Sequence, residues 1–331
     1  MRKLLKLYIQ TTPMVTVVLA AILGILIGYL LPTHSPLESP TSEEREIGAG
    51  YQFISPLLAC KDSSSTNLPT GQLLEMRDTM TTYIKKKMTD GSLNDASVYF
   101  REFNLGGDFS INPTTTFDPG SLLKVPLVMS VYKHAEQNQG FLDQKVTFEG
   151  GALNTEPHYP PLVAIQPGVT YTVQQLIDAA MMYSDNNAAI LLSQLVSTGE
   201  LNASYAQLGI QVPQIGQDYQ ITSIMYGSFY RVLFNATYLN HDDSEHILKI
   251  LSKSTFHSGL VAGLPVGTIV AHKFGEHANA DGSSPELQDC GIVYTKGPPY
   301  LICVMTQGKD FDTLASIIAT LSKIAYSYEA P

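Results

Sequence analysis

The sequence predicts an α+β fold in three layers. A five-stranded antiparallel sheet is flanked by N- and C-terminal helices, and an all-helical lobe is inserted mid-sequence. Three observations lead there. Periodicities follow one another in the order helix, two strands, a block of helices, three strands, helix. Strands fall in pairs joined by short turn-rich connections, as antiparallel hairpins do. The first and last helices are amphipathic, so they cover one sheet face and leave the helical block as a second lobe.

The elements run in that order from Tyr51. Leu73, Leu74, Met76, Met80, Tyr83 and Ile84 keep helical spacing over 71–88, and Lys85, Lys86 and Lys87 load the C-terminal turn. Residues 97–103 and 109–112 read as strands around the loop Asn104-Leu105-Gly106-Gly107-Asp108. Helical patterns follow over 121–139, 172–182, 186–197, 225–239 and 243–252. Strands return at Thr268–Phe274, Cys290–Thr295 and Tyr300–Thr306, the last two around Lys296-Gly297-Pro298-Pro299. A final helix spans Phe311–Tyr326. No internal repeat is visible.

Ahead of this body, Arg2, Lys3 and Lys6 precede an apolar run, 14–31, without charge. About 20 apolar residues cross a bilayer. The positive flank places residues 1–13 in the cytoplasm and the domain outside, giving a single-pass membrane protein with an extracytoplasmic body. A cleaved signal peptide is the rival, but no Ala-x-Ala-like site follows. Leu57-Leu58-Ala59-Cys60 resembles a lipoprotein box but lies far beyond the run, and an ordinary packed cysteine is the simpler reading. Residues 32–50, rich in Pro, Ser, Thr and Glu, form a linker. The domain is expected over 51–328.

At 331 residues and 44% hydrophobic content the chain can bury a sizeable core. A formal net charge of −10 argues against nucleic acid as a partner. Three cysteines, with no Cys-x-x-Cys pair, make neither a disulfide framework nor a metal site. With the hairpin turn centred on Gly297 and Pro298, Cys303 faces Ile292. Cys290 and Cys303 are therefore expected as free buried thiols. His241-Asp242-Asp243-Ser244-Glu245-His246 looks like a metal cluster but reads better as a solvated helix start with acids in its first turn.

Chemistry is suggested at three places. In Asp118-Pro119-Gly120-Ser121-Leu122-Leu123-Lys124, Asp118 can cap a helix that Pro119 begins. Ser121 and Lys124 then share one helix face. A serine hydroxyl needs a base, and a lysine among Leu122, Leu123, Val125, Leu127 and Val128 loses basicity through desolvation. Pro126 is awkward because it removes a helical donor and should bend the helix just after Lys124. Ser184-Asp185-Asn186-Asn187 is a polar quartet between two apolar helices and must find partners. Asp185 ties that loop together, while Ser184 can relay a proton and Asn186 can hold both a substrate amide and the lysine. Lys273-Phe274-Gly275-Glu276 ends a strand with a cation and a glycine that admits close approach. His272 beside it reads as structural.

Ser121-x-x-Lys124, Ser184-Asp185-Asn186 and Lys273-x-Gly275, in that order, resemble the triple motif of class A β-lactamases and penicillin-binding proteins, whose α/β lobe with an inserted helical lobe matches the element order. The resemblance implies that Ser121 forms an acyl-enzyme with a β-lactam or a D-alanyl-terminated peptidoglycan peptide. It implies that Lys124 helps activate Ser121, Ser184 passes a proton to the leaving nitrogen, and Asn186 orients Lys124 and substrate. Lys273 would meet the substrate carboxylate, and the backbone N–H groups of Ser121 and of Glu276, after Gly275, would form the oxyanion hole. No cofactor or metal is implied.

Two residues depart from the pattern. Phe274 stands where the family has a hydroxyl, so affinity for ordinary penicillins should suffer. The Glu-x-x-Leu-Asn stretch that activates a deacylating water is absent: no glutamate lies between Glu200 and Glu245. Slow deacylation is therefore expected. The alternative is a catalytically weak or inactive cell-wall binding module that keeps the fold, or an esterase with another acyl group.

Overall fold

A computed structural model describes residues 51–55, 70–103, 106–151, 157–213, 218–279 and 282–329. The expected cytoplasmic segment, membrane anchor, linker and Cys60 lie outside the described residues. Among the described residues no helix is long and apolar enough to cross a membrane.

Helix α1 (Thr70–Thr89) leads into β1 (Leu93–Glu102) and β2 (Asp108–Ile111). After the helical block come β3 (Ile269–His277), β4 (Glu286–Tyr294), β5 (Tyr300–Gly308) and α8 (Phe311–Glu329). The sheet is antiparallel throughout, in the order β2-β1-β5-β4-β3, so the first and last segments of the domain share its centre. Register fixes which side chains go where: Val98 pairs with Val304 and Phe100 with Ile302. These alternate residues join Met76, Met80 and Ile84 of α1 and Leu314, Ile318 and Leu321 of α8 in one core. The intervening residues Tyr99, Ala271, Ile292, Leu301 and Met305 face the helical lobe and its larger core. This is the three-layer arrangement read from the sequence.

The helical lobe comprises α2 (Lys124–Ala135), α3 (Val173–Met182), α4 (Asn186–Ser193), α5 (Thr198–Gln207), α6 (Ser223–Phe234) and α7 (His241–Leu251). Helix α5 escapes a reading by apolar periodicity. Its signal is polar: Ser197 and Glu200 form a reciprocal capping box at its start. Residues 241–246 open α7 behind an Asn240 cap, with Asp242 and Asp243 in the first turn. Glu245 is a clamp, accepting from the backbone N–H groups of Gln52, Phe53 and Ile54 at 2.8, 2.7 and 3.0 Å.

Pro126 finds its explanation here. A 3₁₀ turn over Gly120–Leu123 hands over to α2 at Lys124, so Pro126 falls in the first turn, where backbone N–H groups lack helical partners anyway. The carbonyl that an N–H at 126 would reach in an unbroken α-helix is that of Leu122. It accepts instead from the buried Tyr226 hydroxyl at 3.0 Å. Tyr226→Phe leaves that carbonyl only the Lys124 N–H as donor and is expected to cost about 1 kcal/mol, read as a fall in Tm of a few degrees. An unchanged Tm would show that the hydroxyl is dispensable.

The cysteine expectation is corrected. Cys290 and Cys303 sit directly opposite each other and form a disulfide. Val293 pairs with Tyr300, so the turn centres one residue earlier than Gly297 and Pro298. In a hairpin that displacement moves every cross-strand partner by two residues, from Ile292 to Cys290.

Candidate active site

The turn carrying Ser121 is pressed against the edge strand β3. Asp118 does not cap α2: its Oδ1 accepts from the backbone N–H of Gly120 at 2.8 Å and so closes the turn. The turn is anchored from the sheet side, where Asp118 N–H donates to Glu286 Oε2 at 2.8 Å and Gln288 Nε2 donates to the Asp118 carbonyl at 3.1 Å. Gly120 has φ +48°, and a Cβ there would sit 2.5 Å from the carbonyl oxygen of Glu276. A Cβ at Gly275 would collide with the carbonyl oxygen of Pro119 and lie 3.1 Å from the Leu122 nitrogen. Both glycines let the nucleophile turn and the strand touch backbone to backbone. That contact brings Glu276 beside the turn, the neighbourhood an oxyanion pair requires.

The SxxK and SDN segments converge on one nitrogen. Lys124 Nζ lies 2.9 Å from Ser121 Oγ, 2.6 Å from Asn186 Oδ1, 2.6 Å from the Ser184 carbonyl and 3.1 Å from Ser184 Oγ. The amide oxygen and the carbonyl can only accept, so they take two of its protons. The remaining position, a proton in the ammonium or a lone pair in the amine, is shared between Ser121 Oγ, the nearer, and Ser184 Oγ. Burial pushes the Lys124 pKa down to about 7, against a partial opposing pull from Asp185 and Glu276. Near neutral pH a large share is therefore the free amine, able to take the Ser121 proton.

Ser184 is held at φ +60°, a left-handed conformation that is costly for a non-glycine residue. Asp185 over-determines it by accepting from Ala188 N–H, as the cap of α4, at 2.8 Å and from Ile165 N–H at 2.9 Å. Ser184 Oγ thereby stands between two lysines, 3.1 Å from Lys124 Nζ and 2.8 Å from Lys273 Nζ.

Residues 79–328 match the sequence profile described as the beta-lactamase enzyme family. The chain belongs to that family. It is 27% identical over 238 residues to the extended-spectrum beta-lactamase PER-1 of Pseudomonas aeruginosa, covering 66% of this chain and 77% of PER-1. It is 24% identical to the beta-lactamase VEB-1 of the same organism, covering 66% and 80%. Among solved structures, PBP-A superposes with a TM-score of 0.64 at 17% identity, covering 77% of this chain and 96% of that one. The class A beta-lactamase of Mycobacterium abscessus gives 0.64 at 21% identity, covering 76% and 98%. The fold is thus that of class A beta-lactamases and penicillin-binding proteins, and the chain is a serine hydrolase of the β-lactamase type.

Lys273 lies deeper than its place at a strand end suggests. Lys273 is fully buried, donates to Ser184 Oγ and to the Phe274 carbonyl, and lies 4.3 Å from the Phe274 ring centroid. It does not line the cleft in which a substrate carboxylate would arrive. Burial, and then the neighbouring Lys124 charge, push its pKa well down. Phe274 stacks on Phe256 at 4.1 Å, filling the place of the family's hydroxyl with a ring.

The cleft splits at Ser121. On one side is a cavity of about 670 Å³ bounded by Ser184, Asn186, Phe274 and Glu276. Over it lies a segment the sequence reading did not single out, Pro157-His158-Tyr159. Tyr159 N–H donates to Glu276 Oε2 at 3.1 Å, and its ring packs edge-on against Phe256 and Phe274. On the other side is a shallower groove of about 270 Å³, lined by Leu123, Leu127, Ala189, Ile190 and Ser193 beside Ser121, Lys124 and Asn186; none of its described lining residues is a carboxylate. Neither flanking glutamate of the sequence serves there. Glu200 caps α5 and bonds His134 at 2.6 Å, and Glu245 clamps residues 52–54.

His272 is structural, as read: its Nδ1 lies 2.8 Å from Asp289 Oδ1, both fully buried, and Asp289 Oδ2 accepts from Leu260 N–H. Among the described residues no group of three or more His, Cys, Asp or Glu side chains could hold a metal ion.

Proposed function

We propose that the chain is a serine acyl-transfer enzyme that forms an acyl-enzyme on Ser121 with a β-lactam or a D-alanyl-terminated peptide. The observation that carries this reading is Lys124 Nζ, 2.9 Å from Ser121 Oγ and fixed by two obligate acceptors. Ser121 Oγ attacks the carbonyl carbon as its proton passes to Lys124 Nζ. The oxyanion is met by the backbone N–H groups of Ser121 and Glu276. The C–N bond then breaks, and Ser184 Oγ hands its proton to the departing nitrogen, recovering one from Lys124. The names of PER-1 and VEB-1 support a β-lactam substrate. With no carboxylate among the described residues of the groove beside Ser121, Lys124 is left as the base for the deacylating water, and the ester is long-lived.

We place the domain outside the cytoplasm, tethered by residues 14–31. The charge-free run and the buried Cys290–Cys303 disulfide support an oxidising compartment.

A labelled penicillin tests the reading. Wild type is expected to hold the label covalently while ring opening proceeds slowly, and Ser121→Ala to take none. Rapid ring opening would mean another group activates water. Absence of label in wild type, with neither this compound nor its neutral carboxamide reacting, would favour the non-catalytic wall-binding alternative.

A further inference from the structure

The cavity beside Ser121 has the wrong charge for the substrates of an ordinary β-lactamase. Among the described residues neither Lys nor Arg lines it. Lys273, the cation expected there, is sealed beneath Ser184 and the Phe274 ring. Among the described residues the carboxylate in the wall is Glu276, and it is built in: Tyr159 N–H holds its Oε2 at 3.1 Å, and the Tyr159 ring is itself wedged against Phe256 and Phe274. The two lining histidines already face acids, His158 toward Asp312 and His277 toward Asp118, each at 3.5 Å. A carboxylate entering this space meets an aromatic ring where the family offers a hydroxyl, and a fixed like charge instead of a counter-ion.

Resting on the acyl-transfer reading and narrowing it, we propose that this cavity selects acyl donors with a neutral, hydrogen-bond-donating group, such as a primary amide, where common β-lactams carry a carboxylate, and that Glu276 makes the selection. A carboxylate rejects another carboxylate by repulsion in a half-buried space and accepts an N–H readily. Glu276 is thus a specificity-determining residue whose backbone N–H faces the reacting carbonyl and whose side chain reads the group beyond it.

The test uses the full-length chain and a matched pair of probes, a labelled penicillin and its primary carboxamide, with second-order labelling rates of Ser121 as the readout. Wild type is expected to react with the carboxamide about 10-fold or more faster than with the acid. In Glu276→Gln that ratio is expected to fall about 10-fold, whichever way the absolute rates move, whereas Glu276→Asp, which keeps the charge, retains a preference for the amide. A wild type that labels equally with both, or prefers the acid, overturns the proposal without any variant and leaves the acyl-transfer reading standing. A ratio unchanged in Glu276→Gln removes Glu276 from it. Failure of both probes to label Ser121 overturns the acyl-transfer reading itself.

Discussion

Lys124→Met lowers acylation of Ser121 by about 10²–10⁴ at neutral pH while the protein stays folded, because general-base assistance is lost without opening a cavity. The fold should tolerate the change. A lysine buried to 6% exposure is held at a desolvation cost that methionine does not incur, and this offsets the unpaired oxygens left at Ser184 and Asn186. Lys124→Arg is the sharper variant: it keeps the charge but cannot shed a proton near neutral pH, so acylation falls there as well. In wild type the sign of the pH dependence follows from the lowered lysine pKa. The amine is the active form, so acylation falls about tenfold per pH unit below about 7 and levels off above it. The limb should vanish in Lys124→Met. A limb that persists there, or a Lys124→Met enzyme that labels as fast as wild type, would take the lysine out of proton transfer.

What could be read from the sequence was whatever depends on local periodicity and on motif order. Leu73 to Ile84 forecast α1, and the strand pairs on either side of the helical block forecast the sheet. Ser121, Lys124, Ser184 and Asn186 do meet at one nitrogen, because a polar cluster between apolar helices has few places to bury itself. Tertiary register was not legible. One residue's difference in the centre of the 294–300 turn separated free thiols from a disulfide. Nor was the fate of a long side chain legible: Lys273 reads as an exposed cation at a strand end, yet it lies on the helical-lobe face of β3 and is consumed by Ser184. Tyr159 has no local signature at all. Its role arises only where a loop of the helical lobe crosses to Glu276, 117 residues away in sequence.

Gly275→Ala is expected to damage both stability and acylation, and the reason is steric. Gly275 is not one of the positive-φ glycines, so alanine meets no conformational penalty there. Its Cβ would nevertheless be driven into the Pro119 carbonyl and would crowd the Leu122 nitrogen at 3.1 Å and Cγ at 3.0 Å. Backbone cannot swing aside as the end of a flexible side chain can. The turn bearing Ser121 must therefore withdraw from β3, against the hold of Glu286 and Gln288 on Asp118. Overpacking of this kind costs about 1–3 kcal/mol, visible as a lowered Tm. The same retreat separates Ser121 from the Glu276 N–H, and misplacement on the scale of 1 Å costs roughly 10² in rate. Acylation should thus fall about 100-fold in protein that is still folded at the assay temperature, with the Lys124 pH limb retained, since the lysine's acceptors at Ser184 and Asn186 belong to the other lobe. A lowered Tm with undiminished acylation would show that the backbone contact holds the lobes together without setting the oxyanion geometry.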